Sequence, residues 1–201
     1  MITIVDYGMG NLGSIQNMLK RIGVKCNITN QPFEIKIAKK LILPGVGAFD
    51  RAMERINSGG LRQALDQRVL VDKIPVLGIC LGMQILTNFS EEGELPGLGW
   101  IPASTRRFPV NRSLKVPHMG WNVVETVNSS PLVVGFEREV RFYFVHSYYV
   151  MADRSENTVL RTKYGLNFDS AIQCGNVFGA QFHPEKSHRY GMKLLSNFAA
   201  I

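Results

Sequence analysis

No stretch of this 201-residue chain approaches the roughly 18 consecutive apolar residues of a membrane span. The first residues, MITIVDYGMG, lack the basic start and apolar run of a secretory leader. Cysteine is scarce: only Cys26, Cys80 and Cys174 occur. An odd, sparse set without a leader excludes a disulfide framework and points to a reducing compartment, the cytoplasm. There is no repeat, no low-complexity tract and no linker, so one domain over residues 1–201 is expected. The net charge of +7 is not gathered into runs. Its densest place, Arg106, Arg107, Arg112 and Lys115, has only Phe108 as an aromatic neighbour. Nucleic acid is disfavoured on that account. A solvated basic face, or a nearby acidic or phosphorylated partner, fits better.

What is present is an alternation of apolar runs and helical spacings. Ile2–Val5, Lys40–Leu43 and Pro75–Ile79 read as buried strands. Between and after them, Asn11–Ile22, Ala48–Ile56, Leu61–Val69 and Leu81–Phe89 read as helices. Strands separated by helical crossovers form a parallel sheet. Beyond about Ser90 the pattern changes to short aromatic and period-2 runs: Trp121–Glu125, Val140–Met151, Thr158–Lys163, Ser170–Gln173 and Val177–Phe182. Cys174-Gly175-Asn176 reads as a hairpin turn, and Arg189–Ala199 as a last helix. The expected fold class is therefore α/β. A mostly parallel central sheet is flanked by helices, with additional antiparallel strands in the C-terminal half.

One stretch calls for chemistry. VLGICLGMQ, residues 76–84, sets Cys80 between Gly78 and Gly82 at the end of a strand and the start of a helix. Glycines gain nothing in a buried strand unless backbones must approach closely. A strand ending in Gly-x-nucleophile-x-Gly is a nucleophile elbow, and the helix N-terminus behind it favours the reactive thiolate. The bland alternative is an inert buried cysteine. Of the histidines His118, His146, His183 and His188, His183 is followed by Pro184 and Glu185. In an extended chain residues two apart share a side, so Glu185 is placed to orient the His183 ring. Lys186 then points away from the pocket. An oxyanion hole needs the N–H of Leu81 and a second donor. The turn Pro44-Gly45-Val46-Gly47, closing another core strand, offers Val46 and Gly47. His146 and His118 read as structural histidines, the latter under the Met119-Gly120 turn, and Cys26 and Cys174 as structural cysteines. Trp121 reads equally well as core.

In order along the chain, PGVGAF, LGICLGMQ, PHMGWN, YFVHSY and QFHPEKS resemble the class I, or triad, glutamine amidotransferase family over essentially the whole length. PHMGWN points to the branch of glutaminase subunits that serve a cyclase of histidine biosynthesis. The resemblance implies that Cys80 attacks the side-chain amide of L-glutamine, that His183 shuttles the proton and that Glu185 orients it. It implies that Gln84 and Glu92 hold the substrate, with the backbone at Ser147 and Tyr148 beside its α groups. It further implies ammonia transfer to a (β/α)8-barrel synthase in a heterodimer, with Asn11, Ser14, Trp121 and Lys186 at the interface. No cofactor or metal is implied.

Three rival readings remain at this stage. The same glutaminase chemistry could feed an enzyme that amidates cell-surface sugars. A non-catalytic interaction subunit is a second rival, against which the retained Cys80, Gln84, His183 and Glu185 speak. Gly8-Met9-Gly10-Asn11-Leu12-Gly13 also satisfies a dinucleotide fingerprint, but Ile28-Thr29-Asn30-Gln31 lacks the acidic residue that fingerprint wants.

Overall fold

A computed structural model describes residues 1–109, 114–137 and 139–201. Arg112, counted above in the basic cluster, lies outside them. The chain runs β1 (Ile2–Val5), α1 (Leu12–Arg21), β2 (Cys26–Thr29), α2 (Pro32–Ile35), β3 (Leu41–Gly45), α3 (Phe49–Asn57) and α4 (Leu61–Asp66). A π-helical turn at Gln67–Val71 leads to β4 (Val76–Cys80), α5 (Leu81–Ile85), β5 (Phe89–Ser90), β6 (Ala103–Arg107) and β7 (His118–Thr126). Then follow β8 (Val140–His146), β9 (Tyr148–Ala152), β10 (Thr158–Tyr164), β11 (Leu166–Cys174), β12 (Val177–Ala180) and α6 (His188–Ala200).

Twelve strands of the described residues join in one sheet, in the order β2-β1-β3-β4-β12-β11-β10-β7-β8, with β5, β6 and β9 branching from β11. The β2-β1-β3-β4-β12 half is parallel, and β12-β11-β10-β7-β8 is antiparallel. Alternation along the parallel strands feeds two cores. Leu41, Leu43 and Val76 face α2 to α5, whereas Ile42, Leu77 and Ile79 face α1 and α6. The second core continues into an aromatic group, Phe108, Phe142, Phe144, Phe168 and Phe182, under the antiparallel half.

Three expectations need correction. The helix after Cys80 stops at Ile85 instead of Phe89. Its last carbonyls are taken by a returning loop: Leu98 N–H donates to Ile85 O at 2.7 Å, and Trp100 N–H to Leu86 O at 3.0 Å. The run Val140–Met151 is two strands broken at Ser147, because β9 leaves β7's partner and crosses to pair with β6 and β11. His118 lies within strand β7, not under a turn. The half-exposed edge strand β2 and the strands β5 and β6 carry no apolar run, so hydrophobic periodicity does not mark them.

Register places the site. β3 and β12 flank β4 in parallel, with Gly45 opposite Cys80 and Ala180 opposite Ile79. The turn after β3, the elbow after β4 and the segment Gln181–Glu185 after β12 therefore leave the sheet at one edge. That edge, at the carboxyl ends of parallel strands, is where open α/β sheets bind ligands.

Candidate active site

Cys80 takes φ 57° and ψ −112°, a conformation side chains rarely adopt. The flanking glycines make it possible. A Cβ on Gly82 would lie 1.7 Å from the Leu43 carbonyl oxygen, and one on Gly78 2.4 Å from the Gly82 oxygen. Helix α5 is thus pressed into the groove between β3 and β4, and Cys80 is turned out at its N-terminus.

His183 approaches from β12. Its N–H donates to Tyr143 O on β8 at 2.9 Å. Ser187 Oγ donates to His183 O at 2.6 Å and accepts from Tyr143 N–H at 3.0 Å. Ser187 thereby fastens the segment to the far end of the curled sheet, a role no local signal announced. Glu185 Oε1 sits 2.7 Å from His183 Nδ1. The contact forms, but not through an extended chain: Pro184–Lys186 is a 3₁₀ turn, which curls the carboxylate back under the ring. His183 Nε2 is buried and has no hydrogen-bond partner among the described residues. Burial opposes charge on this ring, yet the Cys80 sulfur as its thiolate and the Glu185 carboxylate outweigh it and raise its pKa from 6.5 to about 10.

A cavity of about 320 Å³ opens over the elbow. Val46, Gly47, Cys80, Leu81, Gln84, Glu92, His146, Ser147 and Tyr148 line it, so eight predicted site residues meet here. Gly47 sits at φ 120°, which its lack of a Cβ permits. Glu92 Oε2 accepts from Phe49 N–H at 3.1 Å, at the uncapped start of α3. Asp50 fixes the Glu92 loop by accepting from Glu94 N–H and Leu95 N–H, both at 3.0 Å. Burial above all, opposed by the Phe49 bond and aided by Asp50, raises the Glu92 pKa. Gln84 Nε2 donates to Tyr148 O and to Gln181 Oε1, each at 3.2 Å. Gln181 Nε2 in turn lies 3.9 Å from Cys80 Sγ. Gln181 opens the QFHPEKS motif, and nothing in its local pattern marks it as part of the site.

None of the residues expected at a partner interface lines the cavity. Trp121 is 47% exposed, so it is not core, and it stacks on His188 with centroids 5.6 Å apart. Lys186 Nζ lies 5.6 Å from the Tyr143 ring centre, and Trp121 meets the same ring edge-on at 6.2 Å. Helix α1 packs against the Pro184–Lys186 turn. On it, Asn11 caps the helix by accepting from Ser14 N–H at 3.3 Å, so both residues also have a local task.

The profile of class-I glutamine amidotransferases matches residues 3–201. The chain belongs to that family. This amidotransferase is 52% identical over 198 residues to the imidazole glycerol phosphate synthase subunit HisH 2 of Methanococcus maripaludis, covering 98% of each chain. It is 49% identical to the HisH subunit of Bdellovibrio bacteriovorus, over the full length of both. A solved glutamine amidotransferase structure superposes with a TM-score of 0.72 at 21% identity over 100% of each chain, a likeness of fold. Family membership sets aside the dinucleotide reading of the glycine fingerprint. Among the described residues, no cluster of His, Cys, Asp and Glu could hold a metal ion, and no helix is long and apolar enough to cross a membrane.

Proposed function

We propose that this amidotransferase is the glutaminase subunit of an imidazole glycerol phosphate synthase, hydrolysing L-glutamine and passing the ammonia to a cyclase subunit. The observation that carries the chemistry is the elbow cysteine in the cavity lining, with, at the exit of the neighbouring strand, a histidine held by a buried carboxylate at 2.7 Å. Cys80 sulfur attacks the amide carbon, and the carbonyl oxygen takes the negative charge. The N–H of Leu81 and one from the Val46-Gly47 turn stabilise that oxyanion. His183 holds the proton given up by the Cys80 thiol and passes it to the departing nitrogen, which leaves as ammonia. Water then attacks the thioester with His183 as base, releasing glutamate and restoring the thiol. Gln84 and Glu92 hold the substrate, the latter opposite its α-ammonium, with the Ser147–Tyr148 backbone beside its carboxylate.

Two features support the cyclase as recipient over a sugar-amidating enzyme. Relatives matching the whole length at 49 to 52% identity are synthase subunits by name. Trp121 and Lys186 are exposed around the Tyr143 ring, and α1, with Asn11 and Ser14 at its start, packs on the Pro184–Lys186 turn, a surface on which a (β/α)8-barrel partner in a heterodimer would dock to receive ammonia.

Cys80→Ala tests the reading. It should abolish glutamine hydrolysis while the synthase reaction fed with ammonium persists. A loss of only a few-fold would remove Cys80 from the reaction.

A further inference from the structure

Two buried histidines beside the cavity have no part in the steps above. His118 on β7 and His146 on β8 are 2% and 6% exposed and face each other across the antiparallel ladder. His118 Nδ1 lies 2.9 Å from His146 Nε2. His146 Nδ1 lies 2.7 Å from Tyr148 O, and His118 Nε2 lies 3.2 Å from Asn122 Nδ2.

The chemistry of the ends fixes every proton in this chain. A carbonyl only accepts, so His146 Nδ1 carries the hydrogen. In a neutral ring Nε2 is then an acceptor, so His118 Nδ1 must donate to it. His118 Nε2 is left as an acceptor, and the amide nitrogen of Asn122 supplies the donor. The other hydrogen of that nitrogen goes to Lys163 O at 3.1 Å. Burial keeps both rings neutral, with pKa values lowered to about 4 for His118 and about 3 for His146. The run is directed and complete, Asn122 to His118 to His146 to Tyr148 O.

Its last acceptor belongs to the pocket. The Tyr148 carbonyl also takes one hydrogen of Gln84 Nε2, while Gln181 Oε1 takes the other. With both amide hydrogens engaged, Gln84 Oε1 is the end left for the cavity it lines. We propose that His118 and His146 are positioning residues of the glutamine site: their relay holds the Tyr148 carbonyl where it fixes the orientation of Gln84. The inference rests on the glutaminase reading. Neither ring touches the reacting atoms, so the relay acts on substrate binding and not on bond breaking.

Packing is the competing role, because the His118 ring stacks on Tyr164 at 3.9 Å and on Phe144 at 4.8 Å. Two substitutions separate the roles in the complex with the synthase subunit. His118→Phe keeps a stacking ring and leaves His146 Nε2 without its donor. His118→Asn loses the stack but keeps an N–H at the Nδ1 position. A buried acceptor left unpaired is costly, so His118→Phe should raise the glutamine KM about fivefold or more at little change in kcat. His118→Asn should stay within about twofold of wild type. An unchanged KM in His118→Phe, or a His118→Asn variant impaired as much, overturns the relay. Should either variant fold poorly, nitrogen-15 spectra of wild-type imidazoles at pH 7 decide. Both rings should be neutral and protonated at Nδ1; the other tautomer or a charged ring at either position overturns it. Wild-type protein inactive on glutamine would instead refute the functional reading, and the tautomers would still judge the relay.

Discussion

At Cys80 the backbone holds a conformation that costs about 1–3 kcal/mol, tolerated because Gly78 and Gly82 let the surrounding chain close over it. Charge at the site is set by equally local facts. His183 gains a proton partner on folding, whereas His118 and His146 are buried neutral. Between pH 6.5 and about 4 the unfolded chain therefore binds protons at His118 and His146 that the folded chain refuses. Stability falls as pH drops through that window, by up to about 1.4 kcal/mol per pH unit per site. His183 acts oppositely: its contribution is complete below pH 6.5 and is lost as pH rises through about 10. Melting temperature against pH should peak near 6.5 and decline on both sides. A flat profile on the acid side would contradict the burial of a neutral pair.

Helix α5 shows what an element owes to close approach. Its glycine Gly82 sits where a methyl group would enter the Leu43 carbonyl. Gly82→Ala should destabilise the protein by several kcal/mol or prevent folding, measured by urea unfolding. Gly13, in the first turn of α1, meets only Asn11 Oδ1 at 3.7 Å. Gly13→Ala should instead stabilise by about 0.5 kcal/mol. Equal effects at the two positions would mean that packing of α5 between β3 and β4 is not what requires glycine. The early stop of the same helix has a tertiary cause, the loop Leu98–Ile101 that takes over its terminal carbonyls.

On the scale of the whole molecule, the Val46-Gly47 turn lines the cavity and also meets solvent, with Val46 47% exposed. A two-glycine turn can swing an N–H toward or away from the oxyanion, so turnover of glutamine should be weak in the isolated chain and rise strongly when the synthase carries its own substrate. Equal rates with and without the partner would exclude such coupling. Lys186 is exposed, with its ammonium over the Tyr143 ring. Lys186→Ala should leave basal hydrolysis nearly unchanged and weaken binding of the synthase about tenfold or more, as loss of an interfacial charge pair does. Titration calorimetry of the two subunits would reveal it, and unchanged affinity would make Lys186 a solvated surface residue.

The sequence by itself determined whatever depends on near neighbours in the chain. Apolar runs and helical spacings gave β1, α1, β3, α3 and β4 close to their observed bounds. Gly-x-Cys-x-Gly declared its elbow, since only glycines allow that approach, and His183-Pro184-Glu185 declared the contact of ring and carboxylate. Only the tertiary structure decided what depends on strands distant in sequence. The parallel pairing of β12 with β4 carries His183 to Cys80 across about a hundred residues. The break at Ser147 frees β9 to cross the sheet and turns the Tyr148 carbonyl onto Gln84. The histidine pair exists only because β7 and β8 meet in one register, with His118 opposite His146. Such pairings are fixed by the burial of a shared core, a property of the assembled sheet that no single segment carries.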